Sequence, residues 1–206
     1  MKTLYLDIFS GLSGDMFIGA MLDLGLGLDQ LERELAKLRV EGYHLHASRA
    51  KRLQIEGTKF DVHLGNHHPR AHAHEEGHDH EHEHGHEHEH GRSYSDIRQL
   101  IAESGLSDWI KSKATAVFER LAVAEGKIHG QPSEQVHFHE VGAVDSIVDI
   151  VGACAALEFF GRPRVLASAV VDGCGWIDCA HGRFPIPAPA TLEILAARGV
   201  PISQCE

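Results

Sequence analysis

Hydrophobic residues recur with two different spacings along the first 64 residues, and each spacing predicts one kind of element. Residues 3–9 are mostly apolar, which predicts a strand that is partly buried on both faces. Residues 16–25 have helical spacing with apolar residues on most of the surface, and residues 28–38 have the single apolar stripe of an amphipathic helix. Apolar and polar residues alternate over 43–48 and 60–64, which predicts two antiparallel strands.

The second half of the chain alternates longer helical segments with short extended ones. Helical spacing covers 94–101, 106–126, 143–160 and 190–198, and the apolar run 164–171 predicts a strand. The stripe expected to be buried on the second of these helices consists of Trp109, Ala116, Val117, Leu121 and Ala124. After the strand, the sequence predicts a glycine-rich turn region and then an extended proline-rich stretch, at 173–182 and 184–189. Together these elements predict an α/β fold, a sheet with helices packed on it.

The composition is that of a globular protein with an acidic surface. The chain has 206 residues, of which 43% are hydrophobic and 24% charged, and its formal net charge is −11. This charge opposes binding to a nucleic-acid backbone. No apolar run reaches the ~18 residues of a membrane span, and no secretory signal precedes the first strand. The cysteines follow no paired metal-finger spacing, and Cys154 is predicted to be a small core residue. We therefore expect a cytoplasmic, reducing location.

Residues 65–91 form a low-complexity tract in which eleven histidines alternate with acidic residues. The tract has no large apolar residue, so it cannot form a core, and it is predicted to be a disordered loop. Imidazole nitrogens and the interleaved carboxylates are ligands for nickel, zinc or copper. The alternative is an inert linker that happens to be rich in histidine. The candidate metal ligands in the tract are His78, His80, His82, His84, His86, His88 and His90.

A second group of candidate metal ligands lies in a short stretch before and within a predicted helix. They are His137, His139, Glu140, Asp145 and Asp149. The two histidines are two positions apart, so on an extended backbone they point to the same side. The two aspartates are four positions apart, so on a helix they share a face. The two arms can therefore converge on one polar centre. The alternative is that Asp145 and Ser146 cap the helix while Glu140 is solvated.

The turn between the first strand and the first helix is a candidate anion site. Ser10, Gly11, Ser13 and Gly14 bring backbone N–H groups to a helix N-terminus, where anions such as phosphate bind. The turn lacks the lysine of a Walker motif and the spacing of a Rossmann fingerprint. A single phosphate and a capped turn without ligand both remain open. Asp15 can add a carboxylate to a metal site here, or it can stabilise the turn.

Other histidines are weaker candidates. His181 lies between small residues, which makes it accessible to a ligand, although a turn histidine bonded to a backbone carbonyl fits the pattern as well. His44, His46 and His63 alternate along the two predicted antiparallel strands and can share one exposed face of the sheet. Solvated strand histidines are the favoured interpretation of these three.

Four motifs together resemble the LarC family of nickel-insertion proteins. They are residues 7–16, the histidine tract, residues 137–149 and residues 181–191. The resemblance implies insertion of nickel into pyridinium-3,5-bisthiocarboxylic acid mononucleotide, which yields the nickel-pincer nucleotide cofactor of lactate racemase. It also implies that the metal becomes bonded to two sulfurs and a ring carbon, and that the enzyme is a nickel chelatase of the lyase class.

The same resemblance implies the partners and the residue roles. In the family the reaction depends on CTP with a divalent cation, Mg or Mn, bound by a C-terminal domain. This chain matches only the N-terminal part, so 1–206 is expected to be one domain with a histidine-rich insertion at 65–92. The implied partners are the dithio-mononucleotide, the C-terminal LarC domain or subunit, the lactate racemase apoenzyme and further copies of the chain. His181 and Asp15 are the catalytic candidates, with His181 as the base that removes the ring proton.

Two other classes of function remain compatible with these residues. The chain can be a nickel store or metallochaperone without chemistry of its own, or a scaffold that docks a catalytic C-terminal domain. The histidine tract fits an enzyme and a store equally well. An ordered histidine–carboxylate site favours the enzyme, because a store needs no ordered site.

Overall fold

The computed structural model describes residues 2–65, 91–138, 141–179 and 182–205, which form an arrangement of helices and short strands. The helices are α1 (Gly14–Asp23), α2 (Leu28–Leu35), α3 (Tyr94–Glu103), α4 (Asp108–His129), α5 (Val144–Phe159) and α6 (Pro189–Ala197). The strands are β1 (Thr3–Leu6), β2 (Tyr43–Arg52), β3 (Ile55–Leu64), β4 (Arg164–Ala167), β5 (Val170–Asp172), β6 (Trp176–Cys179), β7 (Gly182–Pro185) and β8 (Ile202–Gln204).

The predicted α/β class is confirmed, with sheets that are small. In the described part of the chain each sheet has two strands: β1 with β4 and β5 with β8 are parallel, whereas β2 with β3 and β6 with β7 are antiparallel. The β2–β3 pairing confirms the alternation seen in the sequence and extends it by several residues. The predicted disordered loop falls on residues 66–90, which lie outside the described residues.

The core joins the helices to one face of the β2–β3 hairpin. Ile18 of α1, Phe60 of β3, Phe118 of α4 and Ile147 of α5 are almost completely buried in one continuous cluster. Burying a side chain of this size stabilises the fold by about 1.5–3 kcal/mol relative to leaving it in water. The predicted core position of Cys154 is also confirmed, and burial raises the pKa of its thiol to about 11.

Helix α4 buries a stripe that only partly matches the one predicted. The buried positions include Ile110, Ala114, Phe118 and Ala122, which are spaced by four residues. Of the predicted stripe, Ala124 is buried, and Trp109 and Leu121 are partly buried against the core. Ala116 and Val117 are only partly buried, so the prediction was confirmed in part. Apolar residues occur on most sides of α4, and the helix contacts α3, α5 and α6. Spacing alone therefore does not select the buried face.

The strand predicted at 164–171 is two strands that belong to different sheets. The chain leaves the β1–β4 sheet at Ser168, whose hydroxyl oxygen accepts a hydrogen bond from the Ile8 N–H at 2.7 Å. The region predicted as a glycine-rich turn also holds regular structure, because β6 within it pairs with β7. Positions 175 and 182 have positive φ values of 123° and 107°, which favour glycine. These glycines are compatible with a hairpin.

The packing of α1 on α5 positions the first turns of both helices. Gly152 of α5 lies against Ile18 of α1, where an added Cβ would be 3.0 Å from Ile18 Cδ1. Close helix packing of this kind brings together residues that are far apart in sequence. Within the described ranges, every helix is too short or too polar to cross a membrane.

Candidate functional site

The first turn of α1 and the first two turns of α5 meet at Gly14 and Asp149. A Cβ added to Gly14 would lie 2.5 Å from Asp149 Oδ2 and 2.6 Å from Asp149 Cβ. Real Cβ atoms are not found this close to other atoms, so the carboxylate occupies the space that a side chain at position 14 would need. The aspartate of one predicted site therefore contacts the glycine-containing turn of another.

The ionised form of Asp149 is disfavoured in this position. Its side chain is partly buried, and its Oδ1 accepts no hydrogen bond from any described residue. Burial, which is the largest influence, and the negative charges of Asp15 and Asp145 together raise the pKa of Asp149 to about 6. The structure thus brings Asp15, Asp145 and Asp149 into one electrostatic group. A bound cation would favour the ionised form of this group.

Asp145 lies exposed in the first turn of α5 and is not its N-cap. The N-cap is Ala143, which makes no side-chain hydrogen bond. Asp145 Oδ1 accepts a hydrogen bond from the Ser146 N–H at 2.7 Å, which satisfies one of the N–H groups left free at a helix start. One carboxylate oxygen of Asp145 is therefore bonded within its own helix turn. The alternative that Asp145 caps the helix is correct to this extent only.

The turn at 10–14 presents the N-terminus of α1 to solvent. Gly11 has a φ of 79°, which favours glycine at this point of the turn. Ser13 is the N-cap residue, and its side chain makes no capping hydrogen bond. Ser10 and Ser13 are both exposed, so their hydroxyls are accessible to a ligand. The helix terminus favours an anion, whereas Asp15 and Asp149 oppose one, so an anion here would need a cation beside it.

His137 lies on an extended segment beside the start of α3. Its side chain is exposed, while Val136 and Phe138 on either side are buried in the core. The segment forms an antiparallel bridge between His137 and Ser93, at the start of α3. Hydrogen bonds from Ser93 lower the pKa of Asp96, and the His137 charge contributes to the same effect. His137 is thus placed beside Ser93 and Asp96.

Several predicted ligands fall outside the described residues: His139, Glu140, His181, His78, His80, His82, His84, His86, His88 and His90. Among the side chains that are described, no group of three or more histidine, cysteine, aspartate or glutamate residues is arranged to hold a metal ion. The carboxylates of Asp15, Asp145 and Asp149 are therefore close enough to influence one another, but they do not form a complete coordination site.

Comparison with known proteins places these features in a family. Residues 4–206 match the family described as nickel insertion protein. The chain belongs to this family. It is 50% identical over 213 aligned residues to the pyridinium-3,5-bisthiocarboxylic acid mononucleotide nickel insertion protein of Lactiplantibacillus plantarum, covering 99% of this chain and 48% of the relative. It is 48% identical over 208 residues to the protein of the same name from Geobacillus kaustophilus, covering 98% and 46%.

The chain spans about half the length of the curated relatives that it matches. No solved structure matches it. Membership in the nickel insertion protein family confirms the resemblance drawn from the four motifs and identifies nickel as the metal that the family handles.

The structure also shows contacts beside His137 that the sequence did not single out. Gly142 has no room for a side chain, because an added Cβ would lie 2.6 Å from both Arg92 N and Phe138 O. Arg92 also donates to the Gly142 carbonyl oxygen at 3.4 Å. The Phe138 N–H donates to the Arg92 carbonyl oxygen at 3.1 Å, so the backbone at Arg92 lies next to the segment that carries His137. In the sequence alone, the glycine at position 142 was the one sign of this close contact.

Proposed function

We propose that this chain is the N-terminal part of a nickel insertion enzyme that acts on pyridinium-3,5-bisthiocarboxylic acid mononucleotide. The product is the nickel-pincer nucleotide cofactor of lactate racemase. The reaction type is that of a nickel chelatase of the lyase class, working in the cytoplasm. CTP hydrolysis with Mg or Mn belongs to the C-terminal half in this proposal. The relatives named for this substrate, which are about half identical to this chain, support it.

The partly buried carboxylate of Asp149 beside the N-terminus of α1 carries the proposal. Three carboxylates attract a divalent cation, and the adjoining helix N-terminus attracts the single phosphate of the mononucleotide. The carboxylates repel the phosphate and the helix N-terminus repels the cation, unless both ligands are bound together. Nickel at Asp15, Asp145 and Asp149 would therefore help the substrate phosphate to bind at Ser10, Gly11, Ser13 and Gly14.

The chemistry requires a proton acceptor. When nickel bonds to the ring carbon, the ring C–H bond breaks and its proton must pass to a base. His181 has this role in the proposal, because a neutral imidazole accepts protons near pH 7. Asp15 contributes charge to the same cation.

The histidine tract supplies the ion in this proposal. Imidazoles spaced along a segment without a core bind nickel reversibly and raise its local concentration. Arg92, which follows the tract closely in sequence, is bonded to the segment of His137, and in this proposal the ion passes from the tract to His137, His139 and Glu140. Asp145 and Asp149 would then complete the ligand set from the helical side.

Nickel titration by calorimetry tests this division of labour. The proteins compared are the intact chain, a chain lacking residues 67–90, the His137→Ala/His139→Ala variant and the Asp145→Asn/Asp149→Asn variant. Asp29→Asn is a matched control, because Asp29 also lies in the first turn of a helix. We expect the deletion to remove most of the bound ions and each double variant to remove one more. If the deletion removes all binding and the double variants change nothing, the ordered site does not exist.

Conversion of the dithio-mononucleotide tests the enzymatic part. The chain is assayed with nickel and CTP, alone and together with the C-terminal half of a relative. Activity that requires both halves supports a split enzyme. Loss of that activity in Asp149→Asn, with nickel binding by the tract retained, supports the role of the carboxylate group.

A nickel store or metallochaperone is the second candidate. The observation that favours it is the absence, among the described side chains, of a complete group of metal ligands. A store would bind nickel through the tract and pass it to a partner without affecting the nucleotide. Nickel binding that leaves the conversion rate unchanged, with or without the second half, would select this function.

A further inference from the structure

Three histidines share the solvent face of the β2–β3 hairpin. His44 is directly opposite His63 in the strand register, and His46 lies two positions along the same strand as His44. The ring centroids of His44 and His63 are 5.1 Å apart, and those of His46 and His63 are 5.7 Å apart. His63 is therefore in ring contact with both of the other imidazoles, and all three side chains are exposed.

The backbone beneath this group is held in place from the other face. Leu45 and Phe60, which alternate with the histidines, are buried in the core. Helix α1 packs closely on β3, since an added Cβ on Gly19 would lie 2.5 Å from the Thr58 carbonyl oxygen. Sites built on packed strands keep their geometry better than sites on loops. The positions of the three Cα atoms are thus set, and only the imidazoles need to turn.

We propose that His44, His46 and His63 bind one borderline divalent cation, such as nickel, zinc or copper(II). Imidazole is a ligand that these ions share. With metal–nitrogen bonds of about 2.0–2.1 Å, two imidazoles on one ion have centroids roughly 4.5–6.4 Å apart. The two measured separations lie within this range. The site is separate from the Asp145–Asp149 region, and binding here requires no insertion chemistry.

The rings do not hold an ion in their present orientation, because no group of three ligand side chains is formed among the described residues. Exposed side chains change rotamer within nanoseconds, so rotation about χ1 and χ2 brings ring nitrogens together at little cost. The nearby charges on this face are Lys59 and Asp61, which form an ion pair at 2.8 Å. Asp61 is opposite His46, so its carboxylate offsets the repulsion of a cation by Lys59.

The test uses the full chain with the eleven histidines of residues 67–90 changed to glutamine, so that the tract does not mask a single site. Nickel and zinc are titrated by calorimetry, and copper(II) is examined by electron paramagnetic resonance. The added change His44→Gln/His46→Gln/His63→Gln is expected to remove one bound ion and its nitrogen hyperfine pattern. Removing only His63 should weaken binding of that ion at least about tenfold. Losing a group that merely orients a metal ligand already weakens metal binding by this much.

His129→Gln is the matched control, because it removes an exposed imidazole from α4. It should leave the stoichiometry unchanged. Circular dichroism establishes that each variant is folded. The proposal is overturned if the triple variant binds as many ions with the same affinity as its parent, or if His129→Gln causes an equal loss. Because Asp145 and Asp149 are intact throughout, failure here does not affect the proposed insertion site.

Discussion

Gly14 and Asp149 are in direct contact across the α1–α5 interface, with the Asp149 carboxylate in the space that a Cβ at position 14 would occupy. Two motifs separated by more than a hundred residues are therefore one structural unit. The contact explains why a glycine stands at the first position of α1. It also keeps the Asp149 side chain near the exposed helix terminus.

Gly14→Ala is expected to displace the Asp149 carboxylate and to destabilise the fold by about 1–3 kcal/mol, the usual cost of overpacking. Urea unfolding of the variant gives this value. The double variant Gly14→Ala/Asp149→Ala should be less destabilised than the sum of the two single variants, because the clash is then absent. Gly173→Ala is the control, since nothing lies within 4 Å of its added Cβ. Additive effects of the two changes would contradict the contact.

Asp149→Asn should change how stability depends on pH. The carboxyl has a pKa of about 6 in the folded chain and an ordinary value of 3.8, so its protonated form favours the folded state. Its stabilising contribution is present below about pH 4 and is lost as the pH rises through about 6. The Asp149→Asn variant has no carboxyl group to ionise, so it avoids this loss. Its free energy of unfolding should rise by about 1 kcal/mol relative to that of its parent between pH 4 and 8, after allowance for solvent screening.

Denaturant unfolding at five pH values from 4 to 8 measures this difference. Asp29→Asn serves as the comparison, because Asp29 is exposed and lies in the first turn of a different helix. Parallel stability curves for Asp149→Asn and its parent would show that burial does not perturb this carboxyl.

Ser168→Ala is expected to destabilise the fold by about 1–2 kcal/mol, because it leaves the Ile8 N–H without its acceptor. The hydroxyl joins the end of β1 to the break between β4 and β5. Amide exchange at Ile8 should become faster in the variant. Ser133→Ala, which removes a hydroxyl bonded only to exposed Glu134, should leave both stability and Ile8 exchange unchanged. Unchanged exchange at Ile8 in Ser168→Ala would show that another acceptor replaces the hydroxyl.

Asp23→Asn should lower the melting temperature at neutral pH but not in strong acid. Asp23 accepts hydrogen bonds from the Thr58 hydroxyl at 2.7 Å and the Thr58 N–H at 3.0 Å, and these bonds lower its pKa below 3.8. Because the pKa of Asp23 is lower in the folded chain than in the unfolded chain, its ionised carboxylate stabilises the fold at a pH above the unfolded pKa. This stabilisation is lost as the pH falls through the folded pKa. Scanning calorimetry at pH 7 and pH 2 tests this, with Glu41→Gln as the exposed control. An equal loss at both pH values would point to packing instead.

The sequence predicted elements well where one face of an element is buried and the other is solvated. The β2–β3 hairpin is such a case, because Leu45 and Phe60 alternate with exposed histidines. Helix α5 was also predicted closely, as its long apolar run fits no short strand. Prediction was poorer for α4, where Ile110 and Phe118 proved to be the buried positions, because helices pack on more than one side of it.

Some features depend on contacts that no local pattern records. The run 164–171 is mostly apolar, and its hydrogen bonds to Leu6 and Ile8, including that from the Ile8 N–H to Ser168, mark where one sheet ends and the next begins. The β6–β7 hairpin was missed because its glycines suggested a turn. For the candidate site, Asp15, Asp145 and Asp149 were all named from the sequence, but their mutual influence could not be.

The sequence by itself determined the ligand chemistry and the family, since residue types and motif spacing are carried by the chain in any conformation. It also determined most helices, because the 3.6-residue period is local. Only the tertiary structure decided that Asp149 contacts Gly14, that its pKa rises to about 6 and that the rings of His44 and His46 lie 5.1 and 5.7 Å from that of His63. These properties depend on distance and burial, which arise when segments far apart in sequence pack together.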